Sequence, residues 1–155
     1  MFIGALSLLI VAQQTFAATS HIVISEIQIA GTTATDEFVE LFNPTNTIID
    51  LSGYRLTKQT SSGSESNLVA SLSGTITPNG YFLIAHPDYT GSTLPDKPYS
   101  TGSSLAANNS VFLYSDPGIT QVDLVGWGTT TIAESSPSAN PPAAVRACRS
   151  IARHR

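Results

Sequence analysis

From Ser20 onward, hydrophobic residues form short runs rich in Val, Ile, Phe and Tyr, and these runs are separated by Gly, Pro, Asn, Asp and Ser. The runs have the usual length of β-strands. No segment before the carboxyl-terminal tail keeps a 3.6-residue hydrophobic period over three turns, so the pattern predicts almost no helix. The predicted strands are residues 21–30, 37–43, 48–51, 54–59, 67–71, 81–86, 110–115 and 121–127.

Alternation along the strands predicts which side chains face the core. In the first strand, Val23, Ile27 and Ile29 form an apolar face, and Ile24 falls on a mixed face. In the second strand, Glu40 shares its face with large apolar side chains. Eight short strands without a crossover helix predict an all-β fold, an antiparallel β-sandwich.

Turn residues divide these strands. Pro78-Asn79-Gly80 and Asp116-Pro117-Gly118 predict hairpin connections, because Pro fixes φ and Asn and Gly tolerate positive φ. The polar segment 61–66 and the loop-rich segment 87–109 are predicted to be mobile. Segment 133–144 contains three Pro residues and is predicted to run extended over the surface.

The amino-terminal segment predicts export. Residues 2–12 are nearly all apolar, a run too short for a membrane-spanning helix, which needs about 20 residues. Small residues at Thr15 and Ala17 then suit cleavage by signal peptidase after Ala17. We therefore predict a signal peptide over residues 1–17, a domain over residues 20–155 and a secreted or cell-surface location without a transmembrane span. The alternatives are a buried apolar helix and an uncleaved anchor.

Composition excludes several classes of function. The chain holds 20 Ser and 18 Thr but is only 12% charged, about half the usual fraction. Residues 1–140 carry a net charge of −8, and the last fifteen residues carry +4. Because Lys and Arg bind phosphate backbones, the acidic body is unsuited to nucleic acid. Cys148 is the single cysteine, which excludes an intramolecular disulfide and a cysteine-rich metal site.

Several segments occur in a characteristic order. They are VISEI at 23–27, DEFVELFN at 36–43, DLSGYRL at 50–56, GYFLI at 80–84, VDLVGWG at 122–128, NPP at 140–142 and SIAR at 150–153. Together they resemble the lamin tail domain, an immunoglobulin-like β-sandwich of nuclear lamins and many exported prokaryotic proteins. The resemblance implies a binding or anchoring module. Members usually continue past the last segment into a closing strand, so either the chain is a fragment or the sandwich lacks its final strand and leaves an open edge.

Acidic residues gather around the second strand. Paired carboxylates can perform acid–base chemistry or bind Ca²⁺, but alternation separates Glu37 from Glu40 and no calcium-binding loop is present. We predict that Asp36 and Glu37 are solvated charges at a strand edge, with a cation site as the alternative. Glu40 is predicted to form a structural ion pair or backbone hydrogen bond, with Arg55 as its proposed partner, because a buried carboxylate needs one.

Catalytic patterns are weak in this sequence. There is no G-x-S-x-G motif, and His86 is interpreted as a surface loop residue, with pairing to Asp88 as the alternative. No two histidines have the spacing of zinc ligands, and the Gly-containing segments lack the helix and Lys of a phosphate loop. The sequence therefore predicts no enzymatic activity, no cofactor and no metal.

Aromatic residues divide into core and surface candidates. Phe82, Phe112 and Trp127 lie within apolar runs and are predicted to be buried. Tyr89 and Tyr99 lie in the loop-rich segment and are predicted to be exposed contact residues.

The tail adds two further candidate contacts, Arg149 and Arg153, whose alternative role is a solvated basic end. Cys148 is interpreted as a free thiol, and the alternative is an oligomer formed through Cys148 or through an open strand edge. We predict an exported, non-catalytic module that binds a protein or polysaccharide at a surface. The alternatives are a truncated piece or accessory domain of a secreted metal-dependent hydrolase, of the nuclease or phosphatase type, and a self-assembling structural surface protein.

Cleavage of the signal peptide is directly measurable. We expect the exported chain to begin at Ala18, because Thr15 and Ala17 are the small residues that signal peptidase requires. Amino-terminal sequencing and intact mass of the protein from the culture medium check this. Ala17→Arg should block cleavage, whereas Gln13→Ala, outside the cleavage site, should leave it unchanged. A secreted chain that still begins at Met1 would contradict the prediction.

Overall fold

The structure is a computed structural model that describes residues 19–115, 119–130, 132–134 and 139, together with the backbone of residues 147–148. All eight predicted strands are present, with ends displaced by a few residues. Three strands of two residues each were not predicted, because two residues are too short to show a period. The strands are β1 (Val23–Gln28), β2 (Phe38–Phe42), β3 (Ile49–Asp50), β4 (Arg55–Gln59), β5 (Glu65–Val69), β6 (Thr75–Ile76), β7 (Tyr81–Ala85), β8 (Lys97–Pro98), β9 (Ser110–Ser115), β10 (Thr120–Gly126) and β11 (Ala147–Cys148).

Two sheets form the body of the fold. The first sheet has the order β11-β1-β2-β7-β8, the second has the order β10-β9-β4-β5, and β3 pairs with β6 separately. Every pairing is antiparallel except that of β7 with β8. The predicted antiparallel β-sandwich is therefore confirmed.

The core lies between the inner faces of the two sheets. Trp127 is fully buried, and its indole N–H donates to the carbonyl of Ala106 at 2.9 Å, so the one polar atom of the ring is satisfied. Phe82 and Phe112 are also buried, as predicted. The main fully buried aliphatic side chains of the core are Ile22, Ile24, Ile27, Val39, Leu41, Leu51, Leu56, Leu68, Ile84, Val111 and Leu113.

A β-bulge in β1 changes the predicted inner face of this strand. Between Ile24 and Glu26 the register shifts, so that Ser25 and Glu26 lie opposite the single residue Glu40 of β2. The extra residue resets the alternation, and Ile24 and Ile27 are both fully buried although they are three positions apart. The prediction that Ile24 lies on the mixed face is therefore wrong.

A buried carboxylate joins the two sheets at this bulge. Asp123 of β10 is 2% exposed, and its Oδ2 accepts a hydrogen bond from the backbone N–H of Ile24 at 2.6 Å. Its Oδ1 accepts from the N–H of Leu124 at 2.8 Å. Asp123 therefore holds the bulged part of β1 against β10 in the opposite sheet.

The turn predictions have mixed outcomes. Asn79 has a φ of +54°, and the N–H of Gly80 donates to Thr77 at 2.9 Å, which confirms the turn at 78–80. This turn does not close a hairpin, because β6 pairs with β3 and β7 pairs with β2. Segment 61–66, which was predicted to be mobile, forms the turn of the β4–β5 hairpin and the start of β5, and the N–H of Thr60 donates to Ser64 at 3.0 Å.

Some predictions fall on parts of the chain that the structure does not describe. These are the signal peptide at 1–17, the turn at 116–118, most of segment 133–144 and the arginine-rich end.

The backbone of Ala147–Cys148 pairs with Ile27 and Gln28, so β11 flanks β1 at the edge of the first sheet. Within the described residues, no helix is both long and apolar enough to cross a membrane.

The Asp123 bond gives a direct test of how the sheets are held together. We expect Asp123→Ala to lower the free energy of unfolding by about 1–3 kcal/mol, because the buried N–H of Ile24 loses its acceptor. Asp123→Asn keeps a carbonyl oxygen and should lose less. Asp88→Ala, at a side chain that is 79% exposed, is the control and should change stability by less than about 0.5 kcal/mol. Chemical denaturation measures all three, and equal losses for Asp123→Ala and Asp88→Ala would contradict the prediction.

Candidate functional site

The outer face of the first sheet carries a group of aromatic side chains, Phe38, Phe42, Tyr81 and Tyr89, which we call the aromatic face. Phe38 and Phe42 are the first and fifth residues of β2, and both lie on the side opposite the core. Tyr81 of β7 lies directly across from Phe42, with ring centroids 4.8 Å apart, and its side chain is 61% exposed. The rings of Phe38 and Tyr89 form a T-shaped pair, with centroids 6.1 Å apart. This face thus offers partly exposed ring surface on a rigid sheet.

Glu40 lies at the centre of the aromatic face, between Phe38 and Phe42. Its Oε1 accepts a hydrogen bond from the hydroxyl of Ser25 at 2.7 Å, and the same hydroxyl lies 3.2 Å from the Glu40 carbonyl oxygen. Glu26 occupies the cross-strand position opposite Glu40. The bulge in β1 therefore places a hydroxyl donor and a second carboxylate beside Glu40.

The predicted pairing of Glu40 with Arg55 is wrong. Glu40 belongs to β2 in the first sheet and bonds to Ser25, whereas Arg55 belongs to β4 in the second sheet. The Arg55 guanidinium carbon instead lies 4.6 Å from the centroid of the Tyr114 ring, in a cation–π contact. Sequence alternation gives the face of a side chain within its strand, but it does not give the sheet to which that strand belongs.

Arg55 lies beside a small cleft on the outer face of the second sheet, which we call the Arg55 cleft. Its volume is about 250 Å³, and its lining residues are Arg55, Thr57, Glu65, Ser66 and Asn67. Within it, the Thr57 hydroxyl donates to Glu65 Oε1 at 2.8 Å. The cleft therefore combines one cationic and one anionic side chain with neutral polar groups.

The two predicted contact tyrosines have different outcomes. Tyr89 is half-buried and belongs to the aromatic face. Tyr99 is only 3% exposed and lies in the core, so its prediction as an exposed residue is wrong. Burial raises the pKa of Tyr99 well above its usual value, and the nearby charge of Glu37 raises it further. The N–H of Tyr99 bonds to Ala85 at 2.7 Å, which draws this part of the loop-rich segment against β7.

Asp36 is buried rather than solvated, so the prediction for this residue is wrong. Its Oδ2 accepts from the N–H of Thr33 at 2.8 Å, and its Oδ1 accepts from the N–H and hydroxyl of Thr90 at 2.9 and 2.8 Å. These backbone hydrogen bonds lower the pKa of Asp36 to about 2. Asp36 therefore fastens two loops together at the end of the sheet near Tyr89.

Glu37 is also buried, at 4% exposure, and the prediction of a solvated charge is wrong here too. Burial raises the pKa of Glu37 to about 7, although the N–H of Leu105 donates to Oε2 at 2.6 Å and Lys58 supplies a positive charge. Because the sequence shows only the local pattern, it could not reveal that the loop around Leu105 folds over this carboxylate.

His86 directly follows β7, and its side chain is 15% exposed. It is therefore more buried than the surface loop residue that was predicted. Its Nδ1 accepts a hydrogen bond from the N–H of Asp88 at 3.0 Å and lies 3.9 Å from the Asp88 carboxylate. His86 and Asp88 thus form a local contact in the turn that follows β7. Across the part of the chain that the structure describes, no three His, Cys, Asp or Glu side chains form a group suited to a metal ion.

Asn43 is a structural residue that the sequence analysis missed. It is fully buried, and its amide donates to the carbonyls of Thr47, Ile76 and Thr77 at 2.8 to 3.1 Å. Its Oδ1 accepts from the N–H and hydroxyl of Thr45. Its position between a strand and Pro44 was the available signal, because Asn commonly bonds to backbone groups at turns.

The candidate contacts of the tail, Arg149 and Arg153, lie outside the described residues, as does the side chain of Cys148.

Comparison with protein families matches residues 15–130 to the family described as Lamin Tail Domain. The match covers 116 of the 155 residues and includes both the aromatic face and the Arg55 cleft. A search of characterised proteins finds no match.

The raised pKa of Glu37 predicts a pH dependence of stability. Since its pKa rises from 4.5 to about 7 on folding, the folded state retains the proton more strongly. The contribution of protonated Glu37 to the free energy of unfolding is complete below pH 4.5. It falls as the pH rises to about 7 and is lost above that pH. Glu37→Gln keeps an oxygen acceptor for the N–H of Leu105 but has no titratable proton. It should therefore abolish this decrease in the free energy of unfolding, which is on the order of 1–3 kcal/mol.

Chemical denaturation of both proteins from pH 4 to pH 8 measures this difference. The histidines are common to both chains, so the difference between the two curves isolates Glu37. Parallel curves would contradict a raised pKa for this carboxyl group.

Proposed function

We propose a binding role for this chain because it belongs to the lamin tail domain family, whose members are non-catalytic immunoglobulin-like modules. In our proposal the chain is exported, stays outside the cell or at its surface, and recognises a protein or polysaccharide there. It performs no catalytic step of its own. The fold supplies a rigid support, and the specificity resides in side chains on its outer faces.

The aromatic face is the observation that carries this proposal. Tyr81 exposes 61% of its side chain on a sheet whose strands are fixed by antiparallel pairing on both sides of β2. Aromatic side chains supply a large contact area and have few rotatable bonds. Little side-chain conformational entropy is therefore lost when a ligand binds to them. The neighbouring Glu40 adds a hydrogen-bond acceptor held in place by Ser25.

The negative charge beside the aromatic face supports a ligand other than nucleic acid at this site. Two carboxylates, Glu26 and Glu40, lie beside the aromatic face at opposite positions on neighbouring strands. Such a surface repels phosphate backbones and is compatible with neutral sugars or with proteins. The hydrophobic segment at residues 2–12 supports export.

Binding to cells of the producing organism tests the proposal. We expect purified chain to bind these cells or their wall fraction, and Tyr81→Ala to weaken that binding about tenfold, which is the usual effect of removing a central aromatic contact. Ile119→Ala is the matched control, since Ile119 is also a large apolar residue with 80% exposure but precedes β10 in the second sheet. A pull-down with fluorescently labelled chain gives the affinities.

Three outcomes would contradict the proposal. The first is the absence of binding to cells and wall fraction, and the second is an equal effect of both substitutions. The third is hydrolysis of phosphoesters, nucleic acid or peptides by the purified chain that is lost in Glu40→Gln or His86→Ala.

A further inference from the structure

We propose that the Arg55 cleft binds one uronic-acid residue of an acidic polysaccharide. This inference rests on the proposed binding role and specifies a ligand class for a second site, on the opposite sheet from the aromatic face. The cleft lies between β4 and β5, where Thr57 pairs with Asn67 in the sheet register. None of the residues that line it belongs to the aromatic face.

Arg55 supplies a positively charged group whose orientation is fixed. The guanidinium lies over the Tyr114 ring, and this ring stacks on Phe112 with centroids 5.9 Å apart and planes 9° apart. Arg55 and Tyr114 are also direct cross-strand partners. The side chain is therefore held by packing before any ligand arrives, which lowers the entropy lost on binding.

The hydrogen-bonding capacity of Arg55 is not used up by the described residues. Its Nε is buried and has no hydrogen-bond partner among them, and they include no carboxylate within 4.0 Å of the guanidinium. Arg55 as a whole is half-buried, so a ligand in the cleft reaches the terminal nitrogens of the guanidinium rather than the buried Nε. The planar guanidinium matches a carboxylate with two parallel N–H to oxygen bonds, so a ligand carboxylate is the natural partner.

Glu65 supplies the complementary acceptor. One of its oxygens is held by the Thr57 hydroxyl at 2.8 Å. Burial raises the pKa of Tyr114, and the charge of Glu65 together with a hydrogen bond to it raises this pKa further. Glu65 is thus held by Thr57 and exposed to solvent, which suits it to accept hydrogen bonds from ligand hydroxyl groups.

The combined chemistry points to one ligand class. Arg55 and Glu65 carry opposite charges in the same small cleft, so a dense anion such as phosphate or sulfate gains from one and is repelled by the other. A ligand with one carboxylate and several hydroxyls satisfies both, and Ser66 and Asn67 provide further polar groups. A volume of about 250 Å³ is below the usual range for drug-sized ligands and fits a single sugar ring. A uronic-acid residue has this size and this set of groups.

Titration with a short oligomer of galacturonic acid tests the inference. We expect binding to be seen in the backbone amide signals of Thr57, Ser66 and Asn67 by NMR. The methyl ester of the same oligomer should bind about tenfold more weakly, because it lacks the charge that pairs with Arg55. Arg55→Gln should have a similar effect. Lys97→Gln removes an equal charge outside the cleft and should leave the affinity within about twofold.

Two further variants keep the test independent of folding defects. Arg55→Lys retains the charge but not the planar fork, and it should bind with intermediate affinity. Glu65→Gln keeps an acceptor oxygen and should weaken binding less than Arg55→Gln. The methyl-ester comparison uses unaltered protein and applies even where Arg55→Gln fails to fold.

The possible failures are distinguishable. Equal binding of the acid and its methyl ester, signal changes outside the cleft, or preference for a peptide with a free terminal carboxylate would each overturn the inference. Cell binding through Tyr81 without any galacturonate binding would overturn it while leaving the proposed function intact. Galacturonate binding in the cleft without any binding to cells would support the inference and contradict the proposed cell-surface role.

Discussion

The bulge at Ser25 and Glu26 is the constraint on which both faces of the first sheet depend. By adding one residue opposite Glu40, it directs Ile24 and Ile27 into the core and brings the Ser25 hydroxyl to the Glu40 carboxylate on the outside. A bulge leaves backbone groups without their regular partners, and here Asp123 of the opposite sheet accepts the N–H of Ile24. The same local irregularity thus connects the two sheets and shapes the aromatic face.

Buried carboxylates in this protein act mainly as acceptors for backbone N–H groups. Asp36 holds the loops of Thr33 and Thr90, Glu37 holds the backbone of Leu105, and Asp123 joins the sheets. This use of charge suits a chain with few basic residues, because backbone N–H groups are available where cations are not. The cost appears in Glu37, whose pKa is raised to about 7 by burial.

The two outer faces carry different chemistry on the same rigid support. The aromatic face offers ring surface with a hydrogen-bonded carboxylate, and the Arg55 cleft offers an oriented cation beside an anchored anion. Apart from Tyr89, which lies in the loop after β7, both sets of residues lie on strands, so their geometry is fixed by sheet pairing. In our proposal, these surfaces recognise ligands without rearrangement of the sheets.

The sequence by itself determined the all-β class, the seven strands of five or more residues together with β3, the burial of Trp127 and the family. Alternation and turn residues are local signals, and they are sufficient for these features. Only the tertiary structure decided that Arg55 contacts Tyr114 rather than Glu40, that Tyr99 lies in the core, and that Asp36 and Glu37 are buried. The bulge in β1 also became visible only in its register with β2. The physical reason is that these features depend on which strands and loops pack together across long sequence separations, and the hydrophobic pattern of a single strand carries no information about its neighbours.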